Sequence, residues 1–167
     1  LIDISCVTMA NDSIVGYPTG LEITNDGSGL LTTTASLNNT RIRNTSSTLR
    51  TETTGINFSG HILATMEMVD IDDYTTGIYY EGSGLPSNRA TVSLNNTRIR
   101  NTSSTLRTVT KGVKLIDISC VTMANDSIVG YPTGLEITND GSGLLTTTAS
   151  LNNTRIRNTS STLRTET

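Results

Sequence analysis

Residues 1–53 of this chain recur without one change at 115–167, and a shorter piece, SLNNTRIRNTSSTLRT, begins at Ser36, again at Ser93 (spanning 93–108) and again at Ser150. The offsets from Ser36 are 57 and 114 residues. Repetition at a fixed period builds a fold by stacking units, each of which buries its apolar face only against its neighbours. The 167 residues therefore read as one solenoid domain, 1–167, rather than as separate globular units. Surface positions of natural repeats drift, so a 53-residue copy without a change means a very recent duplication or a laboratory concatenation.

The 57-residue period divides again. A Gly-apolar-x-apolar signature starts at Gly20, Gly55, Gly77, Gly112 and Gly134, so the glycines are 35, 22, 35 and 22 residues apart. A second signature aligns ISCVTMAN from Ile4 and Ile118, LNNTRIRN from Leu37, Leu94 and Leu151, and MEMVDIDD from Met66. On that alignment the apolar anchors are Met9, Ile42, Ile71, Ile99, Met123 and Ile156, which gives six units, short and long alternating. The extra residues of the long units fall in GSGLLTTT, GSGLPSNR and SSTLRT, which have loop composition.

Three residue types decide between the architectures such units can form. The chain holds 32 Thr, 18 Ser and 15 Asn, which together make 65 of 167 residues. These side chains crowd or compete with a helical backbone, and the apolar spacing is two rather than three and four. Propeller blades need about 40–45 residues, too many for a 22-residue unit. The reading that remains is an all-β chain, a right-handed parallel β-helix of about six coils of alternating 22 and 35 residues. Leu37, Ile42, Ile71, Leu94, Ile99, Met123 and Ile156 are its expected core. The five-residue step from Leu37 to Ile42 is odd, so a corner lies between them, and Asn38-Asn39 suits it because Asn tolerates left-handed backbone.

On the same alignment Asn11, Asn44, Asp73, Asn101, Asn125 and Asn158 form one column, a structural ladder of stacked amides about 4.8 Å apart. The anchor's flanks stack Asp70/Asp72 between Arg41/Arg43 and Arg98/Arg100, a structural use for these charges. Chemistry is sparse. His61 is the single histidine, so a His/Cys metal site is not expected, and no cofactor motif is present. Cys6 and Cys120 sit in equivalent positions four coils apart, about 19 Å, which is too far for a disulfide. The acids Glu67, Asp70, Asp72, Asp73 and Glu81 are the pool for a carboxylate pair. Tyr74, Tyr79 and Tyr80, with Asp73, are the candidate carbohydrate-binding residues; the competing reading makes the tyrosines core and the acids partners of Arg. A net charge of -3 and twelve scattered basic residues argue against nucleic acid as a partner, and no stretch reaches the length of a membrane span.

The alternating coils, the amide column and the LNNTRIRN-type strands resemble right-handed parallel β-helices of the pectate-lyase and phage-tailspike kind. The resemblance is architectural and carries no catalytic motif. It implies binding or depolymerisation of surface polysaccharides, and an extracellular or virion setting. The leading expectation is a structural solenoid segment or engineered scaffold without catalysis, whose partner is itself through end-to-end stacking or lateral oligomerisation. The alternative is a fragment of a polysaccharide-binding or depolymerising β-helix.

Overall fold

The structure is a computed structural model and describes residues 1–2, 4–25, 32–45, 52–83, 90–102, 110–139 and 146–158. Seventeen strands run through these residues and no helix is present among them. They form three sheets, and every strand pair in them is parallel.

Successive strands visit the three sheets in turn, which is the path of a parallel β-helix. The first sheet stacks β1 (Cys6–Ala10), β4 (Thr33–Asn38), β7 (Ile62–Glu67), β10 (Thr91–Asn95), β13 (Cys120–Ala124) and β16 (Thr148–Asn152). The second stacks the three-residue strands β2 (Ser13–Val15), β5 (Arg41–Arg43), β8 (Asp70–Asp72), β11 (Arg98–Arg100), β14 (Ser127–Val129) and β17 (Arg155–Arg157). The third stacks β3 (Thr19–Thr24), β6 (Thr54–Ser59), β9 (Thr76–Glu81), β12 (Lys111–Ile116) and β15 (Thr133–Thr138). Residues 1–2 begin a further rung of the third sheet, with Ile2 bridged to Thr24.

Glycines 35 and 22 residues apart pair in register along the third sheet, as their spacing predicts. In the first sheet the step is different: Val7, Ala35, Ala64, Val92, Val121 and Ala149 are neighbours at intervals of 28 and 29. The difference has a geometric origin. Counted from the third sheet, a long coil contains both extra stretches and a short coil neither. Counted from the first sheet, every coil contains one. Those stretches, within GSGLLTTT, GSGLPSNR and SSTLRT, lie outside the described residues.

The core is built from columns of like side chains. Ile42, Ile71, Ile99 and Ile128 stack along the second sheet, Leu37, Met66, Leu94 and Met123 along the first, and Phe58, Tyr80 and Leu115 along the third, all fully buried. The Phe58 and Tyr80 rings meet edge-on, with centroids 5.5 Å apart. Ile156 was expected in this core but is 46% exposed, because β17 is the last strand of the second sheet among the described residues. The glycine column explains the third sheet's signature. A Cβ built on Gly55 would stand 2.5 Å from Ile71 Cγ2 and 2.6 Å from the Gly77 carbonyl oxygen, so the isoleucine column fills the space that a side chain would need.

The second-signature alignment is corrected by the register. Met9 pairs with Leu37 and Met123 with Leu94, whereas the partners of Ile42 and Ile99 are Ile14 and Ile128. ISCVTMAN is therefore displaced by five residues relative to the expected alignment. The amide ladder moves with it. Asn11 and Asn125 do not stand in the column of Asn44, Asp73, Asn101 and Asn158, whose other members are Gly16 and Gly130. They stand with Asn39, Met68, Asn96 and Asn153, and all six of these residues have left-handed backbone, φ 45 to 59. Side-chain bonds run along this column from Asn39 Nδ2 to Asn11 Oδ1 (2.7 Å) and from Asn153 Nδ2 to Asn125 Oδ1 (2.9 Å). Here the corner residue expected of Asn38-Asn39 is Asn39.

Met68 breaks the column. Its φ is 53 and its side chain is half exposed, so it bears left-handed strain without core packing in return. Replacing Met68 with Asn should raise stability by about 1 kcal/mol, read as a higher denaturant midpoint at unchanged slope. An unchanged or lower midpoint would mean that Met68 packs in a way its exposure does not show.

Candidate functional site

Strand alternation points Arg41/Arg43, Asp70/Asp72 and Arg98/Arg100 away from the core, and parallel pairing then sets each acid between two arginines. Asp70 Oδ2 lies 2.6 Å from Arg98 Nη2. Asp72 is fully buried beneath three guanidinium groups. Arg100 reaches its Oδ1 through Nε (3.1 Å) and Nη2 (3.0 Å), while Arg41 and Arg43 approach Oδ2 at 3.5 and 3.9 Å. This is the arrangement read from the sequence. Arg100 thus holds Asp72 Oδ1 by hydrogen bonds, while Oδ2 meets Arg41 and Arg43 by charge at longer range. The third arginine pair, Arg155/Arg157, lies beside Ser127 and Val129.

The remaining acids are separated. Glu67 and Glu81 are exposed on different sheets. Asp73 sits at the corner after the second sheet with φ 66, and its Oδ1 accepts from the Thr102 amide (2.8 Å) and hydroxyl (2.6 Å). That is a turn-closing role.

The tyrosines do not form a sugar platform. Tyr74 and Tyr80 are fully buried, so neither ring face can meet a ligand, and both readings as carbohydrate-binding residues are withdrawn. Tyr80 turns its hydroxyl inward, donating to the Ile62 carbonyl and accepting from the Ile62 amide at 3.0 Å. Burial pushes the Tyr74 phenol up to about 12. Tyr79 alone points outward from the third sheet. Its hydroxyl donates to Glu81 Oε2 at 2.6 Å, and Lys114 Nζ lies 5.3 Å from the ring centroid. Partial burial, then Glu81, raise its phenol to about 12. Tyr79 and Asp73 are thus on different faces, and the four candidates do not converge.

Cys6 and Cys120 are free thiols at opposite parts of one sheet, and both point outward rather than into the core. His61 lies at the corner between the third and first sheets, with Nε2 3.5 Å from Thr32 Oγ1. Among the described residues, no group of three or more His, Cys, Asp or Glu side chains could hold a metal ion.

Two buried groups were not singled out from the sequence. Asp126 accepts the Thr97 amide at 2.7 Å inside the corner between the first and second sheets, and burial raises its carboxyl above the usual range. Tyr131 is buried in the corner where its identical copy, Tyr17, is 59% exposed. The five-residue spacing Met123 to Ile128, equal to Leu37 to Ile42, is the signal that places Asp126 in a corner.

No protein-family model, no curated protein and no solved structure matches this chain.

Proposed function

We propose that the chain is a structural segment, a rod of β-coils without catalysis of its own. The observation that carries this reading is the pairing of the acids: Asp70 and Asp72, the only two carboxylates adjacent on one outer face of the second sheet, are both held by arginines of neighbouring coils. Such pairs penalise a one-rung slip, because a displaced strand would oppose like charges. The rest of the outer surface follows the same economy. The first sheet presents Thr8, Ser36, Thr65, Ser93, Thr122 and Ser150 in one row, small polar side chains that suit stacked strands.

The competing function is a polysaccharide-binding or depolymerising helix of the pectate-lyase and tailspike kind. Incubation with a panel of neutral and acidic polysaccharides separates the two, with reducing ends and unsaturated uronate products measured over time. No turnover and no retention on glycan arrays is the expected outcome. Turnover abolished by Asp72→Asn or Asp73→Asn, in variants that keep their far-ultraviolet circular dichroism, would overturn the structural reading.

A further inference from the structure

The corner between the first and second sheets is turned alike in successive coils. Asn39, Met68, Asn96 and Asn125 hold its left-handed place, with φ from 45 to 57. The residues that follow them, Thr40, Val69, Thr97 and Asp126, are stacked one on the next, and each is buried. Three of these four are uncharged and the fourth is a carboxylic acid.

Asp126 is only 3% exposed. One of its oxygens is satisfied, since Oδ1 accepts the Thr97 amide at 2.7 Å. The other, Oδ2, is buried without a hydrogen-bond partner, and the Thr97 hydroxyl in the same corner is buried without one too. The corner also ties three coils together: Thr97 belongs to the coil before, and the Arg155 amide of the coil after bonds to the Asp126 carbonyl at 2.8 Å.

No charge on the elements packed against Asp126 offsets its own. On its own coil the neighbours are Ala124, Asn125 and Ser127, none of them titratable. On the corner before, Asn95 to Arg98, only Arg98 is charged; on the corner after, Asn152 to Arg155, only Arg155. Both arginines begin second-sheet strands and point outward, and Arg98 is taken up by Asp70 at 2.6 Å. The core columns that flank the corner, Leu94/Met123 and Ile99/Ile128, are apolar.

An ionised carboxylate in such a place keeps an oxygen that neither water nor a donor solvates, and a group so placed takes up a proton rather than bear that cost. We propose that the folded corner holds Asp126 as the neutral acid at pH values where the unfolded chain has already released that proton, so that the coil stack is a proton-stabilised structure, firmer in acid than at neutrality. The direction of its titration agrees: desolvation raises the carboxyl, and hydrogen bonding to the Thr97 and Ala124 backbone offsets only part of the rise.

Over that range the folded chain binds one proton more than the unfolded chain, so stability falls as pH rises. The contribution is full below the ordinary aspartate range, at about pH 4, and is lost as pH climbs through the raised value of the folded chain. A salt-bridged carboxylate behaves in the opposite way, since its contribution is lost in acid.

The test compares the unaltered chain with Asp126→Asn, which keeps a side-chain oxygen for the Thr97 amide and cannot ionise. Denaturant midpoints of both proteins are measured across pH, and their difference cancels the titration of every other group. From about pH 4 towards neutrality, the midpoint of the unaltered chain should fall relative to that of the variant, at unchanged slope. A difference that stays level with pH would overturn the proposal. So would a rising one, because it would mean that the folded corner prefers the charged form. Should the variant not fold, carbon-13 NMR of labelled aspartate carboxyls in the unaltered chain reads the same property. The Asp126 carboxyl should titrate above the value of aspartate in an unfolded chain, and titration at or below that value would overturn the proposal.

Discussion

Replacing Gly60 with alanine should destabilise the solenoid by about 2–6 kcal/mol. Gly60 makes the tight corner between β6 and β7 with φ 92, and its amide bonds to the Glu81 carbonyl. A side chain there meets two obstacles. The backbone lies where L-residues are strained, at a cost of about 1–3 kcal/mol. The new Cβ would also fall on the Asn25 carbonyl oxygen of the preceding coil, a backbone atom that moves only with its strand, and overpacking of that kind costs about 1–3 kcal/mol more. Gly60→Asn separates the two causes. Asn relieves much of the left-handed strain, so it should recover about 1 kcal/mol and no more if the carbonyl is the main obstacle. Denaturant midpoints of the three proteins provide the comparison. Full recovery with Asn would mean that conformation alone decides the position.

Ile71→Ala should cost about 2–5 kcal/mol, the range for removing a buried aliphatic side chain and leaving a cavity. Ile71 is fully buried between Ile42 and Ile99, and its Cγ2 covers Gly55. The same substitution at Ile156 should cost less than half as much in dilute solution, since 46% of that residue already faces water. Both sit in one column with one chemistry, so the ratio measures stacking on both sides against stacking on one. Equal losses would mean that the last coil is covered by something else.

How much of this was legible follows from which signals are local. The period, the parallel β-helix, the glycine column and the Asp70/Asp72 sandwich all rest on residues whose repeats are nearly identical, so the sequence alone carries them. The corner at Asn39 was legible because Asn is among the few residues that accept left-handed backbone. The register of ISCVTMAN was not. Its first apolar residue, Ile4, suggests one register, but two apolar residues five apart, Met9 and Ile14, repeat the spacing of Leu37 and Ile42 without a gap and set the true one. The pairing of a corner's two flanking core residues is a stricter constraint than one apolar residue, because it sets both strands at once. Tyr74 and Tyr80 were ambiguous for a different reason. A tyrosine in a half-apolar strand is compatible with core or surface, and the decision lies in where its hydroxyl finds a partner. For Tyr80 that partner is the Ile62 backbone, 18 residues earlier on β7 of the first sheet, which no local pattern reveals.

The central claim is the parallel register itself, and one oxidation experiment addresses it directly. Thr91 and Cys120 are register partners on β10 and β13, 29 residues apart, with both side chains outward. In a Cys6→Ser background, Thr91→Cys should close an intramolecular disulfide with Cys120, seen as the loss of two hydrogens in the intact mass and as one linked peptide pair. Asn95→Cys in the same background should stay reduced, because parallel pairing holds it beside Ala124. Antiparallel pairing of the same strands would reverse the two results, bringing Asn95 to Cys120 and removing Thr91. Bridging by Asn95→Cys and not by Thr91→Cys would contradict the fold described.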